Sequence, residues 1–183
     1  MTATVAVFIV NVTSQMVLLL GAIWCVAFPQ RRIYPMSSRG PAYFVMWALF
    51  YFVFITNFGL ALTEFQVPSA ADWHRLALGI PLCVVGFGLL AWGMRTLGLK
   101  NTSGLQNVFV TRGPYAFTRN PQYVGDFFLF AGVSVVADSE LVTVTHMLTS
   151  LLFVVAPIIE EPWLAEQYGD AYLEFKLRVP RFL

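Results

Sequence analysis

Hydrophobic residues in this chain come in blocks rather than in alternation. Five blocks approach the roughly 20 apolar residues that carry a helix across a bilayer. They cover residues 4–28, 41–62, 76–94, a short one at 123–137, and 141–159. The last two are joined only by Asp138, Ser139 and Glu140, a turn that suits nothing but an antiparallel hairpin. Beyond the fifth block the pattern changes. Residues 160–183, EEPWLAEQYGDAYLEFKLRVPRFL, are charged, with Leu164, Tyr168, Tyr172 and Phe175 at helical spacing. This predicts an amphipathic helix packed under the bundle. Pro162 suits its first turn, where a missing N–H is not needed. The expected fold is an all-α integral membrane protein: about five transmembrane helices and a C-terminal cytoplasmic amphipathic helix. One domain, 1–183, suffices.

Composition supports lipid as the solvent. The chain is 58% hydrophobic and 11% charged, against about 25% charged in soluble domains. Its net charge is +1 and no basic run occurs, so no nucleic-acid partner is expected. Membrane lipids are the expected surroundings, and no obligate protein partner is inferred. Cys25 and Cys83 lie inside apolar blocks and read as buried thiols. His74 and His146 have no neighbours at ligand spacing, so no metal site is expected. The N-terminus lacks a basic start and holds Asn11, Ser14 and Gln15, which reads as a retained first helix, not a cleaved leader.

Loop charge sets the expected orientation. Arg31, Arg32 and Arg39 follow the first block, and Arg95, Lys100, Arg112 and Arg119 follow the third. The loop after the second holds Glu64 and Asp72 with only Arg75, and the turn after the fourth holds Asp138 and Glu140. Loops one and three are therefore expected in the cytoplasm, the N-terminus outside, and the tail from Glu160 inside. The membrane would be a bacterial inner membrane or one of the endoplasmic-reticulum type.

Gly79, Gly86 and Gly93 fall seven apart, as do Gly125 and Gly132. Such stripes let helix backbones approach closely. Gly86-Phe87-Gly88 is no dinucleotide loop, because no strand precedes it and no acidic residue follows at the required distance.

The chemistry gathers in residues 112–126, RGPYAFTRNPQYVGD. Pro114 and Pro121 fix the chain locally, and Asn120 before Pro121 is pushed towards an extended shape. Once the fourth helix starts, Gln122 and Tyr123 share a side with Asp126, which lies about one turn inside. A carboxylate at that depth is costly and points into the bundle or a wet cavity. The hairpin brings this edge beside Glu160 and Glu161, so Arg119, Asn120, Tyr123 and Asp126 face two glutamates.

At these residues the sequence resembles the integral membrane methyltransferases, which include isoprenylcysteine carboxyl methyltransferases and phospholipid N-methyltransferases. The resemblance rests on Gly-Pro-Tyr at 113–115, Arg-Asn-Pro-Gln-Tyr-Val-Gly at 119–125, the Glu160–Glu161 pair, Tyr-Gly-x-x-Tyr at 168–172 and a basic end, and it covers 105–183. It implies S-adenosylmethionine, bound from the cytoplasm by Gly113, Tyr115, Arg119, Asn120, Pro121, Tyr123, Gly125, Glu160 and Glu161. Arg119, Glu160 and Glu161 are the implied catalytic residues; Asp126 and Arg178 are candidate acceptor contacts. Asn120 stands where the family carries histidine, so that position supplies no general base near neutral pH. The implied reaction is direct methyl transfer to a lipophilic acceptor: a prenylcysteine carboxylate, a phospholipid amine or a small thiol. Two other readings stay open, an NADPH-dependent membrane sterol or enone reductase and a non-catalytic membrane subunit.

Overall fold

The computed structural model describes residues 2–36, 39–103, 105 and 108–183, apart from the side chain of Leu99. Gln106 and Asn107, at the start of the motif-bearing half, lie outside the described residues. Four helices are long and apolar enough to cross a membrane: α1 (Ala3–Ala27), α2 (Pro41–Thr63), α3 (Trp73–Leu97) and α6 (Glu140–Tyr168). The α3 span takes in the 3₁₀ turn Ala70–Asp72 before it. A short α4 (Leu99–Thr102) follows, then α5 (Pro121–Ala137) and α7 (Asp170–Arg178). No strand occurs among the described residues. The chain is an all-α membrane protein. Helix α5 has 17 residues, or about 26 Å at 1.5 Å per residue. That falls just short of a full hydrocarbon crossing, as its short apolar block implies.

The tail departs from expectation. No new helix starts at Pro162. Helix α6 runs unbroken through Pro157 and Pro162 for 29 residues and stops only at Gly169. Gly169 has φ +54, the left-handed region open to glycine. At 29 residues α6 is about 44 Å long, so it outreaches a bilayer core of about 30 Å. Each proline removes one amide bond, yet the helix continues, with Pro157, Glu161 and Trp163 buried in the bundle. The amphipathic piece is therefore the last turns of α6 plus the nine-residue α7. Its buried stripe is Tyr172 and Phe175, packed with Tyr115, Phe109 and Tyr168.

At the opposite end the hairpin closes as the short turn requires. Asp138 takes left-handed φ +55 and ends α5, and Ser139 caps α6 by accepting from the Val142 N–H. Arg75 reinforces this corner, donating to the Val136 carbonyl at 2.7 Å and pairing with Asp138 at 3.3 Å.

Helix α5 lies against α3 on the glycine stripes. A Cβ on Gly86 would lie 2.4 Å from the Leu129 nitrogen, and one on Gly125 would lie 2.6 Å from the Leu90 nitrogen. Gly79 and Gly132 meet in the same reciprocal way. Both stripes are one contact seen from two sides. Cys25 is buried, but Cys83 is only half-buried beside this contact, a correction to its expected burial.

Helix α1 is tied in by polar groups. Asn11, Gln15, Asn57, Thr145 and Thr149 are all 0% exposed. The Asn11 amide donates to Thr56 at 2.7 Å and Asn57 at 3.2 Å, and Gln15 donates to Asn11 at 2.6 Å. Asn57 donates to Thr149 at 2.7 Å, and Thr149 donates to Gln15 at 2.9 Å. The Asn11 and Gln15 that spoil a leader peptide are thus the pegs of α1.

Candidate functional site

The site lies where α5 begins and α6 ends. Pro121 opens α5, so Arg119 and Asn120 stay outside the helix, in its approach, with Asn120 at φ −132 and ψ 56 rather than in the extended shape expected of it. The C-terminal tail crosses this approach and pins it. The Arg119 N–H donates to the Pro180 carbonyl at 2.9 Å. The Thr118 hydroxyl and the Asn120 amide both donate to the Arg181 carbonyl, at 3.2 and 3.0 Å. Asn120 is thereby occupied in holding the tail, a task that a histidine ring in its place would meet with a different donor geometry.

Two adjacent carboxylates on α6 point into different surroundings. Glu161 is buried and meets three cations: Arg119 at 2.9 Å, Lys176 at 3.0 Å and Arg181 at 2.6 Å. Arg181 grips both of its oxygens. Arg119 touches Glu161 out of hydrogen-bond alignment, leaving its Nε and Nη1 donors without an accepting partner. Glu160 instead accepts from the hydroxyls of Tyr34 and Tyr123, the latter at 2.5 Å. Burial and the nearby Glu160 charge hold the Tyr34 phenol well above its ordinary range, so it stays a neutral donor. Burial, then Glu161, pushes the Tyr172 phenol up to about 12.

The structure brings Arg119, Tyr123, Glu160 and Glu161 together. The other expected site residues make contacts of their own nearby. Tyr115 is buried in the α7 cluster and accepts from Gln122 at 2.9 Å. Gln122 therefore turns towards Tyr115 and Thr102, and shares no bond with Asp126. Gly113, at φ +62, packs on Thr96 and Trp92. Gly125 faces α3. Arg178 is exposed, donating weakly to the Glu174 carbonyl within its own helix. Asp126 is buried with Oδ1 unpartnered.

Sequence reasoning missed Tyr34, Lys176 and Arg181. Tyr34 lies 126 positions from its glutamate, in a loop with no motif. Arg181 was visible only as part of a basic end, where Arg178 was the residue singled out. A groove of about 630 Å³ runs beside this edge, between Pro35, Tyr43, Trp163 and the bidentate Arg32–Glu166 pair.

A family model for phospholipid methyltransferases matches residues 74–171. Similar curated proteins include the protein-S-isoprenylcysteine O-methyltransferase of Homo sapiens, 34% identical over 151 residues, covering 69% of this chain and 52% of that one. The protein of the same description from Xenopus laevis is 32% identical over 110 residues, covering 56% and 38%. That from Tribolium castaneum is 29% identical over 120 residues, covering 61% and 43%. The chain thus spans about two fifths to half the length of these relatives. No solved structure matches it.

Proposed function

The chain belongs to the phospholipid methyltransferase family, and on that premise we propose that it transfers a methyl group from S-adenosylmethionine to a lipophilic acceptor at the cytoplasmic membrane edge. The orientation follows loop charge: N-terminus outside, C-terminus in the cytoplasm. The observation that carries the reading is the pair Glu160–Glu161, with opposite partners on neighbouring carboxylates beside Arg119.

The residues present fit this donor. It carries a carboxylate, an ammonium and a sulfonium. Arg119 has two guanidinium donors without accepting partners, suited to the carboxylate. Glu160, under two tyrosines and with no cation on it among the described ion pairs, suits a cationic group. Tyrosine faces attract a sulfonium. When bound, the donor supplies an electrophilic methyl carbon. The chain supplies position. Glu161 holds Arg119 in place, Tyr34 and Tyr123 fix the Glu160 carboxylate, and the Arg181 tail covers the approach from water. Such alignment and water exclusion are the main sources of rate in a direct displacement.

Calorimetry on the purified protein in detergent tests the reading. S-adenosylmethionine binds the wild type, and binding is lost in Glu160→Gln. Thermal stabilisation by NADPH, with none by S-adenosylmethionine, would return the reductase reading.

A further inference from the structure

The lipid-facing side of α6 does not end where the helix leaves the hydrocarbon. Met147, Leu151, Val154 and Ile158 are all exposed, three and four residues apart, and so form one stripe. Pro162 and Ala165 continue the same spacing. At that end the stripe becomes the floor of a groove of about 260 Å³, walled by Leu173 and Lys176 of α7. Counted from Glu140 at 1.5 Å per residue, Ile158 lies about 27 Å along α6 and Pro162 about 33 Å. A hydrocarbon core of about 30 Å ends between them. The groove therefore stands at headgroup level and opens towards the acyl chains.

Helix α7 carries two apolar stripes with different surroundings. Tyr172 and Phe175 are buried. Leu173 and Leu177, four apart, are 48% and 88% exposed. A leucine pair that open is misplaced in water and suited to a membrane surface. Lys176 stands between the two stripes. Its ammonium meets Glu161 at 3.0 Å and its side chain stays 44% exposed. Around Glu161 three cations, Lys176, Arg119 and Arg181, meet one carboxylate, an excess of two positive charges. Arg119 is buried and turned to the donor site, so Lys176 is the cation that lines the groove.

We propose that the α6–α7 groove holds an anionic phospholipid of the cytoplasmic leaflet, with its phosphate on Lys176 and an acyl chain along Ile158, Pro162 and Ala165. The excess positive charge favours a headgroup with net negative charge. A zwitterionic headgroup would bring its own cation against that excess. This lipid does not react. Glu160 leaves α6 one residue before Glu161, about 100° round the helix, towards Tyr34 and Tyr123. The groove is thus separate from the donor site. The lipid acts on position. Helix α7 sets Tyr172 against Tyr115 and leads into the tail that ends beside Arg181, so a lipid held there clamps both. The site goes beyond the methyl-transfer reading, and its occupancy does not depend on it.

The test uses the full chain in a maltoside detergent. The probes are phosphatidylglycerol, phosphatidylcholine with the same acyl chains, and inorganic phosphate. Native mass spectrometry reads lipid retention, and the unfolding midpoint reads stabilisation. Phosphatidylglycerol is expected to be retained and to raise the midpoint, phosphatidylcholine to do both more weakly, and inorganic phosphate to do neither. Lys176→Gln should weaken phosphatidylglycerol binding about fivefold, the effect of one cation at an anionic lipid, and leave phosphatidylcholine unchanged. Leu173→Gln should weaken both lipids alike. Equal retention of the two lipids by the wild type overturns the proposal, as does an undiminished preference in Lys176→Gln. Inorganic phosphate that stabilises as well as phosphatidylglycerol makes this a free-anion site and overturns it too. Wild-type lipid affinity in Leu173→Gln overturns the placement in this groove. Should Lys176→Gln fail to fold, Leu173→Gln and the wild-type order of the three probes decide. S-adenosylmethionine is absent throughout, so a failure of the methyl-transfer reading leaves this result standing.

Discussion

Two groups of polar side chains lie inside this bundle, and they follow opposite rules. In the belt of Asn11, Gln15, Asn57, Thr145 and Thr149, every side chain meets another or a backbone carbonyl. It carries no charge. At the α5–α6 edge the polar groups are charged, crowded and incompletely satisfied. Arg119 keeps two donors without accepting partners, and Asp126 keeps an open oxygen. Buried polar groups are ordinarily satisfied, because leaving one unmet costs about 1–3 kcal/mol. The belt obeys that rule and serves the fold. The edge breaks it where a ligand can complete the set. Satisfaction separates this belt from this edge; elsewhere Arg75 Nε at the far corner and His146 Nε2 are also buried without a partner.

The comparison breaks most visibly at Glu161. Glu161→Gln leaves Arg119, at 9% side-chain exposure, beside an uncharged amide. Breaking a buried ion cluster costs about 3–5 kcal/mol. Water reaches Lys176 and Arg181, at 44% and 37% side-chain exposure, so the loss should fall at the lower end. Unfolding in detergent should show the midpoint drop, and donor binding should vanish with it. Retained stability and donor affinity would make the cluster ornamental.

Arg119→Lys is the sharper cut. Lys keeps the charge near Glu161 but loses the planar fork and its Nε donor. The fold should survive. Turnover should fall about ten- to a hundredfold, equivalent to roughly 1.5–3 kcal/mol for a charged hydrogen bond. Steady-state kinetics with donor calorimetry check it. A fall in donor affinity assigns Arg119 to the donor; unchanged affinity with lost turnover assigns it to aligning the acceptor. Full turnover reduces it to an anchor.

The belt supplies the converse. Asn57→Leu removes one hydrogen bond from Asn11 and one from Thr149, and each keeps others. Polar contacts between membrane helices average about 0.6 kcal/mol, so losing two should cost about 1 kcal/mol. Donor affinity should not move. If it did, the belt and the edge would be one system.

How much of this was legible in sequence follows from separation along the chain. Local signals read correctly: the Asp138 turn, the short α5, the seven-residue glycine spacing, and Arg119 facing the glutamates across a hairpin of known length. Pro162 misled because proline reports a missing bond, not the surroundings that tolerate it; the packed end of α6 does. Tyr34 and Arg181 were unreadable. Their contacts with Glu160 and Glu161 depend on where a loop and a tail fall after the helices pack, 126 and 20 positions away. Asn11 and Gln15 were noticed, but only as residues that spoil a leader. Their partners lie on helices whose rotation the sequence does not give.

The smallest effect is expected at Arg32, and it refines the comparison. The loop after α1 is tied to α6 twice. Tyr34 reaches Glu160 beneath the surface, and Arg32 grips both oxygens of Glu166 outside it. The outer pair is the bidentate one. It also has the wetter setting, with Glu166 at 55% side-chain exposure. Water and salt screen such pairs, and two long side chains must be immobilised to form them. Arg32→Ala should therefore leave the unfolding midpoint and donor affinity where they are, at low and at high salt alike. Tyr34→Phe should weaken donor binding, because it removes one of the two hydroxyls that fix Glu160. A midpoint that falls in Arg32→Ala, and falls less as salt rises, would mean that the outer clasp holds the loop. Surface geometry, not burial, would then decide which contacts matter at this edge.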